Sequence, residues 1–250
     1  MTTSTDTCIL MLRGLMREQA HWKSFIEKLS IQQKLYPVIA IDIAGNGTEC
    51  KRNSFTTISA CRQDIQVRFN TKYPNCKKII LIGISMGGMI ALDWAKNEPN
   101  KIIKLCVLNT SAANLVPFYL RLNLAKITDL IKIIIDHKSR EKTILNLTSN
   151  VYKNNDCIIE CWNKIQDRRP VSRLNIFRQI YAAARFKADS VNVDCLIIAC
   201  RKDKLVDYQA SVKLAKLLSC KLVINDTAGH DIALDAPDFL LDQITEWLAN

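Results

Sequence analysis

The residue best placed to do chemistry is Ser85, which stands in the run Gly83-Ile84-Ser85-Met86-Gly87. An apolar stretch of strand length (79–84) precedes it, and a helix-like stretch follows. A serine hydroxyl becomes a usable nucleophile when a strained strand-to-helix turn pushes it into the open. Glycines at 83 and 87 let the strand and helix pass close together. A helix that starts just after Ser85 aims unpaired N–H groups at the site, and the Met86 N–H is placed to receive an oxyanion. A bare Gly-x-Ser-x-Gly is common by chance. Here the strand before and the helix after supply the context that the motif requires.

Serine also needs a base, usually an imidazole held by a carboxylate. The chain has three histidines, His21, His137 and His230. His230 follows the apolar run 221–224 and sits in Asp226-Thr227-Ala228-Gly229-His230-Asp231. Loops after the carboxyl ends of parallel strands form the active edge of such sheets, so His230 is the expected base. His137 lies in a basic stretch and reads as a solvated side chain. His21 follows the first strand's loop and could approach the site, but precedes the serine. For the acid, the run 193–200 ends in Arg201-Lys202-Asp203-Lys204-Leu205-Val206-Asp207. Asp203 lies directly after the strand and is preferred, with Asp207 the runner-up. Asp194 is at the wrong end, and the loop after 102–108 offers Asn109 instead of a carboxylate.

These residues need a scaffold. Near-continuous apolar runs at 8–12, 38–43, 79–84, 102–108, 193–200 and 221–224 suit strands buried on both faces. Helix-like stretches lie between them at 21–34, 58–72, 89–96, 208–218 and 239–248. Alternating strand and helix reads as a mostly parallel sheet with helices on both faces. The alternation stops from 111 to 188. There Ile127, Leu130, Ile131 and Ile134 recur at helical spacing, as do Ile176, Ile180, Ala183 and Ala184. So long an insertion needs structure of its own. The reading is a core of residues 1–111, a helical cap of 112–188 that should cover the serine, and a second core segment of 189–250. Leu115, Phe118, Tyr119, Leu122, Leu124, Phe177, Tyr181 and Phe186 are candidates to line an acyl pocket or to pack the cap on its core. All seven glycines fall in strand-end loops or beside His230, and none lies in the insertion.

Bulk composition narrows the classes. A chain of 250 residues that is 48% hydrophobic can bury a full core. Ten cysteines without a C-x-x-C pair, several inside apolar runs, read as reduced thiols and not as a disulfide framework or metal site. The net charge of +11 is spread over lysines along the whole chain. With no nucleic-acid motif, this argues for a solvated basic surface and against a nucleic-acid partner. No run approaches the ~20 apolar residues of a membrane span. The start lacks a secretory pattern, so a cytoplasmic location without membrane contact is expected.

The loops after 9–12 and 38–43, the turn at Ser85 and the Gly229-His230 turn together resemble the α/β-hydrolase superfamily, in particular small bacterial carboxylesterase-like members with a helical lid. The likeness covers nearly the whole chain and is weakest across the insertion. It implies the chain order Ser85, Asp203, His230 for the triad, and an oxyanion hole completed by the backbone N–H of Leu15 beside that of Met86. Asp42, Gly45 and Gly47 match the family's aspartate-x-x-glycine-x-glycine loop. Arg13 replaces the usual histidine before Gly14. Only seven residues precede the first strand, so the family's first two strands are missing or reduced. Arg13 and Arg17 either brace this loop or bind an anionic group of a substrate. In resembling dehalogenases and epoxide hydrolases aspartate holds the serine's place. Ser85 therefore implies cleavage of an ester, thioester or lactone bearing an apolar acyl part, through an acyl-enzyme, with no cofactor and no metal. A silent binding protein on the same fold, an acyltransferase and a carbon–carbon bond hydrolase are the alternatives.

Overall fold

The computed structural model describes residues 6–22 and 24–249. Six strands form one sheet: β1 (Thr7–Leu12), β2 (Val38–Ala40), β3 (Lys78–Ile84), β4 (Ile102–Leu108), β5 (Asp194–Cys200) and β6 (Lys221–Asn225). Their order is β2-β1-β3-β4-β5-β6, and every neighbouring pair is parallel. The helices, in chain order, are α1 (Ser24–Gln32), α2 (Ile58–Lys72), α3 (Met86–Asn97), α4 (Phe118–Arg121), α5 (Ile127–Ile135), α6 (Arg140–Thr148), α7 (Asp156–Arg168), α8 (Arg173–Arg185), α9 (Tyr208–Leu218), α10 (Ile232–Asp235) and α11 (Pro237–Ala249).

The strand sequences are apolar throughout because both faces of the sheet are covered. Successive residues feed opposite cores. Leu10, Leu81, Val107 and Ile197 pack with α2, α3 and α9. Ile9, Ile80, Ile82, Cys106 and Ile198 pack with α1 and α11 on the other face. This is the α/β-hydrolase architecture that the sequence led us to expect.

The strand order reverses direction between β1 and β3: the chain first runs outward from β1 to β2, then returns to the other side of β1. Such a switch point opens a crevice beyond the carboxyl ends of the strands. Register brings those ends level, with Leu12 opposite Gly83, Ile84 opposite Leu108, Leu108 opposite Ile198 and Cys200 opposite Asn225. The loops carrying Gly14, Ser85, Asn109, Asp203 and His230 therefore all leave from one edge.

Between β4 and β5 the chain forms five helices, α4 to α8, and no strand. They enclose a small core of their own, in which Ile133, Ile144, Leu145, Trp162 and Ile176 meet Met16 from the loop after β1.

Several boundaries differ from expectation. β2 stops at Ala40 because only three of its residues pair with β1, after which the chain turns into the Asp42 loop. The first helix begins at Ser24 and not at residue 21, since Gln19–His21 forms a separate 3₁₀ turn. The helix after the serine starts at Met86, three residues earlier than its apolar pattern suggested, because Gly87 and Gly88 are inside it. The last helix begins at Pro237, where the fixed φ of proline suits a first turn.

The expectation of reduced thiols throughout needs one correction. Cys8 and Cys76 form a disulfide, with Cα atoms 6.3 Å apart. Cys8 lies at the leading end of β1 and pairs with Ile79 of the adjacent β3. Cys76 precedes β3 by two residues, so the parallel pairing carries it to Cys8. Spacing along the chain gave no hint of this, because 68 residues separate the two. No described helix is long and apolar enough to cross a membrane.

Candidate active site

Ser85 joins β3 to α3 with φ 55° and ψ −121°. A residue with a side chain takes such a conformation only when its surroundings over-determine it. They do so here. The Ser85 N–H donates to the Leu108 carbonyl at 2.9 Å, and its carbonyl accepts from the Met89 N–H at 3.1 Å and the Thr110 hydroxyl at 3.0 Å. The flanking glycines are required by space. A Cβ on Gly83 would lie 2.4 Å from the Gly87 carbonyl oxygen, and one on Gly87 would lie 2.4 Å from that of Leu12.

His230 is buried, and its Nδ1 lies 2.6 Å from Asp203 Oδ2. The other Asp203 oxygen accepts the backbone N–H groups of Leu205 at 2.8 Å and Val206 at 3.1 Å. The acceptor-only carboxylate assigns the proton to Nδ1 and leaves Nε2 as an acceptor. Burial alone disfavours the charged imidazolium. The charge and hydrogen bond of Asp203, helped by Asp231, outweigh that penalty even with Arg13 nearby, so the pKa of His230 is raised. Asp207, the runner-up, caps α9 instead: its Oδ1 accepts the Gln209 N–H at 2.8 Å.

Ser85 and His230 share the wall of a cavity of about 550 Å³. Leu15 and Met86 line it as well. The turn after β1 runs beside the nucleophile, since a Cβ on Gly14 would come within 3.5 Å of Ser85 Oγ. The far wall comes from the insertion, with Ile127, Leu130, Ile131 and Ile134 of α5 and Ile180 of α8. Among the insertion residues expected to line a pocket, Phe118 and Leu122 do so. Phe186 is buried and joins Leu115 against the main core. Tyr119, Leu124, Phe177 and Tyr181 face outward. The lining residues carried a signal, the recurrence of isoleucine and leucine at three and four along 127–134, which reads equally well as a packing stripe.

Arg13 and Arg17 both reach the cavity wall, and each is paired with a carboxylate. Arg13 donates two hydrogen bonds to the buried Asp231 carboxylate, at 3.1 and 2.6 Å, and stacks on Trp22 at 4.6 Å. This charge holds the Asp231 pKa low, against the burial that would raise it. Arg17 pairs with Glu141 of α6 at 2.6 Å and stacks on Trp162 of α7 at 4.0 Å. The bracing alternative is therefore the one the geometry favours.

Two residues of the site were not singled out for it from the sequence. Asn109, with φ 46°, donates from Nδ2 to the His230 carbonyl at 2.8 Å and accepts the Cys200 N–H at 2.8 Å. It ties the ends of β4 and β5 to the histidine loop. Asp231, Arg13's partner, drew no attention because nothing local links positions 218 residues apart. His21 is not at the cavity. Its Nδ1 accepts the Glu18 N–H at 3.1 Å, and its ring meets Trp162 edge-on. His137 is exposed. Asp42 accepts the backbone N–H groups of Gln19 at 2.6 Å and Thr48 at 2.8 Å, so its loop braces the turn after β1.

Comparison with known proteins bears on the family and the fold. Residues 3–237 match the model of the family described as serine aminopeptidase, S33. The chain is 25% identical over 265 residues to the human monoacylglycerol lipase ABHD6, covering 97% of this chain and 75% of that protein. In structure it resembles an enol-lactonase from Burkholderia xenovorans LB400 (TM-score 0.79, 14% identity, 99% of this chain and 94% of the other). It also resembles a thermophilic esterase from Thermogutta terrifontis (TM-score 0.75, 17% identity, 97% and 89%). The chain belongs to the serine aminopeptidase S33 family of α/β-hydrolases.

Proposed function

From that membership we propose that the chain is a serine hydrolase that cleaves a carboxylic ester or thioester with an apolar acyl part, through an acyl-enzyme. The observation that carries this reading is one apolar cavity whose wall holds both Ser85, on its strained turn, and His230, already bound to Asp203. Ser85 Oγ attacks the acyl carbonyl carbon while His230 Nε2 takes its proton. The carbonyl oxygen becomes an oxyanion, which the N–H groups of Leu15 and Met86 receive. Asp203 keeps the proton on Nδ1 and stabilises the imidazolium as it forms. Collapse of the tetrahedral intermediate breaks the bond to the leaving group, which departs with the proton from His230. Water, deprotonated in turn by His230, then attacks the acyl-enzyme and frees the acid and Ser85.

The cavity supports an apolar acyl substrate. Its volume lies in the usual range for small-molecule sites, and its far wall is aliphatic, which suits an acyl chain. The charged groups near the serine are paired with one another, which speaks against an anionic acyl group. The monoacylglycerol lipase relative is named for an ester substrate of this kind. No cofactor or metal enters the scheme, and the site's expected partner is a small acyl substrate in the cytoplasm.

A panel of p-nitrophenyl esters of graded chain length, with acyl thioesters and lactones alongside, tests the reading. Turnover is expected, together with covalent labelling by a fluorophosphonate. Ser85→Ala should abolish the labelling and lower kcat by about 10⁴–10⁶-fold while leaving the melting temperature nearly unchanged. Undiminished labelling of Ser85→Ala would refute the assignment.

A further inference from the structure

The turn Gly14-Leu15-Met16-Arg17 supplies one of the proposed oxyanion donors, and its geometry is unusual. The Arg17 N–H closes it onto the Gly14 carbonyl at 3.2 Å, and Met16, its third residue, has φ 60°. A third turn residue with positive φ is normally glycine or asparagine. A long side chain there is strained, and an outside contact must hold it.

That contact comes from the cap. The Met16 N–H donates to Gln179 Oε1 on α8 at 3.0 Å. Gln179 is fully buried. Its Nε2 donates to Asn46 Oδ1 at 2.7 Å and to Ser54 Oγ at 2.9 Å. Every hydrogen of that amide is thus directed, and its oxygen has to face the backbone N–H, which can only donate. Asn46 in turn donates to the Arg17 carbonyl at 3.0 Å, one residue beyond Met16. The side chain of Gln179 therefore holds the turn at two adjacent residues, one of them through Asn46.

We infer that Gln179 is a positioning residue: from the cap, it holds Met16 in its left-handed conformation and so aims the Leu15 N–H at the acyl oxygen beside Ser85. The inference rests on the serine-hydrolase reading above. Gln179 touches neither substrate nor Ser85 in this scheme. It acts when charge develops on the oxygen, so its loss falls on the chemical step and leaves binding of the ground-state acyl chain unchanged. The oxyanion hole is then complete only while α8 is seated on the core.

The test is kinetic. Gln179→Met keeps the size of the side chain and removes the acceptor. Its expected effect is a loss of kcat of about 10–100-fold with KM within about threefold, and an unchanged pH profile of kcat, since His230 is untouched. A trifluoromethyl ketone, whose adduct carries an oxyanion, should lose affinity by the same factor as kcat. Glycine takes positive φ without strain. In a Met16→Gly background the Gln179→Met change should therefore cost less than about threefold in kcat. Hydrogen exchange on the wild-type chain adds a measurement that needs no variant: the Met16 amide should be protected.

The inference is overturned if Gln179→Met keeps kcat within twofold. It is equally overturned if the loss appears in KM alone, if it is as large in the Met16→Gly background, or if the Met16 amide exchanges like a solvated loop. Wild-type chain inactive on every ester would instead remove the hydrolase reading, and this inference with it. Turnover by the wild type with no effect of Gln179 would reject the inference alone.

Discussion

The sheet and the insertion spend apolar residues differently. In β1, five of six residues are buried and each fills a core. In α5, Ile133 is buried, while Ile127, Ile131 and Ile135 are 45%, 49% and 60% exposed. Ile127 and Ile131 also line the cavity. The sheet uses its side chains for stability and thereby fixes Ser85, Asp203 and His230 on one edge. The insertion uses many of its own to wall a space that a substrate can fill. An apolar stripe at helical spacing therefore signals a helix in both regions, but signals a packed core in only one.

The comparison breaks first if chemistry proves not to depend on the core. Asp203→Asn should lower kcat by about 10⁴-fold, far more than any single change in the insertion. The pH profile sharpens this. In the proposed mechanism the base works when neutral, so activity should rise with pH through the pKa of His230. That pKa lies above the ordinary 6.5, and the acid limb of kcat/KM should be displaced upward to match. Asp203 raises it, so the asparagine variant's residual activity should have its limb at lower pH. A limb that stays in place would show that another group sets it.

A matched pair of truncations tests the packing side. Ile197→Ala in β5, where the side chain is fully buried, should cost about 2–5 kcal/mol of stability, read from urea unfolding. Ile131→Ala on the cavity wall should cost less than about 1 kcal/mol. It should instead change the ratio of kcat/KM for long and short acyl esters, by roughly 10-fold. Equal stability losses would erase the distinction between the regions.

A pH-dependent effect is expected at the joint between them. Glu18, in the loop after β1, pairs with Arg169, the residue following α7, at 2.6 Å. Burial is the main cause that pushes the Glu18 carboxyl up to about 7, with Arg169 drawing it back and Asp42 adding to the rise. The folded state thus holds this proton after the unfolded chain has released it near 4.5. Its contribution to stability is present in full below 4.5 and is lost as pH rises to about 7. Glu18→Gln should flatten that decline, on the order of 2 kcal/mol, in unfolding midpoints measured between pH 5 and 8. An unchanged slope would place the proton elsewhere.

Much of the candidate site was legible because its signals are local. Gly83 and Gly87 mark the turn at Ser85 through sheer crowding. Position after a strand marked Asp203 and His230. The bonds of Asn109 were hidden because they join three strand-end loops, and its residue type suggested only a missing carboxylate. The Arg13–Asp231 pair and the Cys8–Cys76 disulfide were hidden because each joins residues far apart along the chain.

The amino-acid sequence by itself determined the alternation of strand and helix, the strained serine turn and the place of each candidate group along its own loop. Each depends on periodicity, on space at a glycine or on the end of a strand, all of which act over a few residues. Only the tertiary structure decided which α5 side chains face a void, which carboxylate each arginine meets and which cap amide reaches the Met16 N–H. Those outcomes depend on how helices from a separate layer settle on the sheet, and no short-range pattern records that.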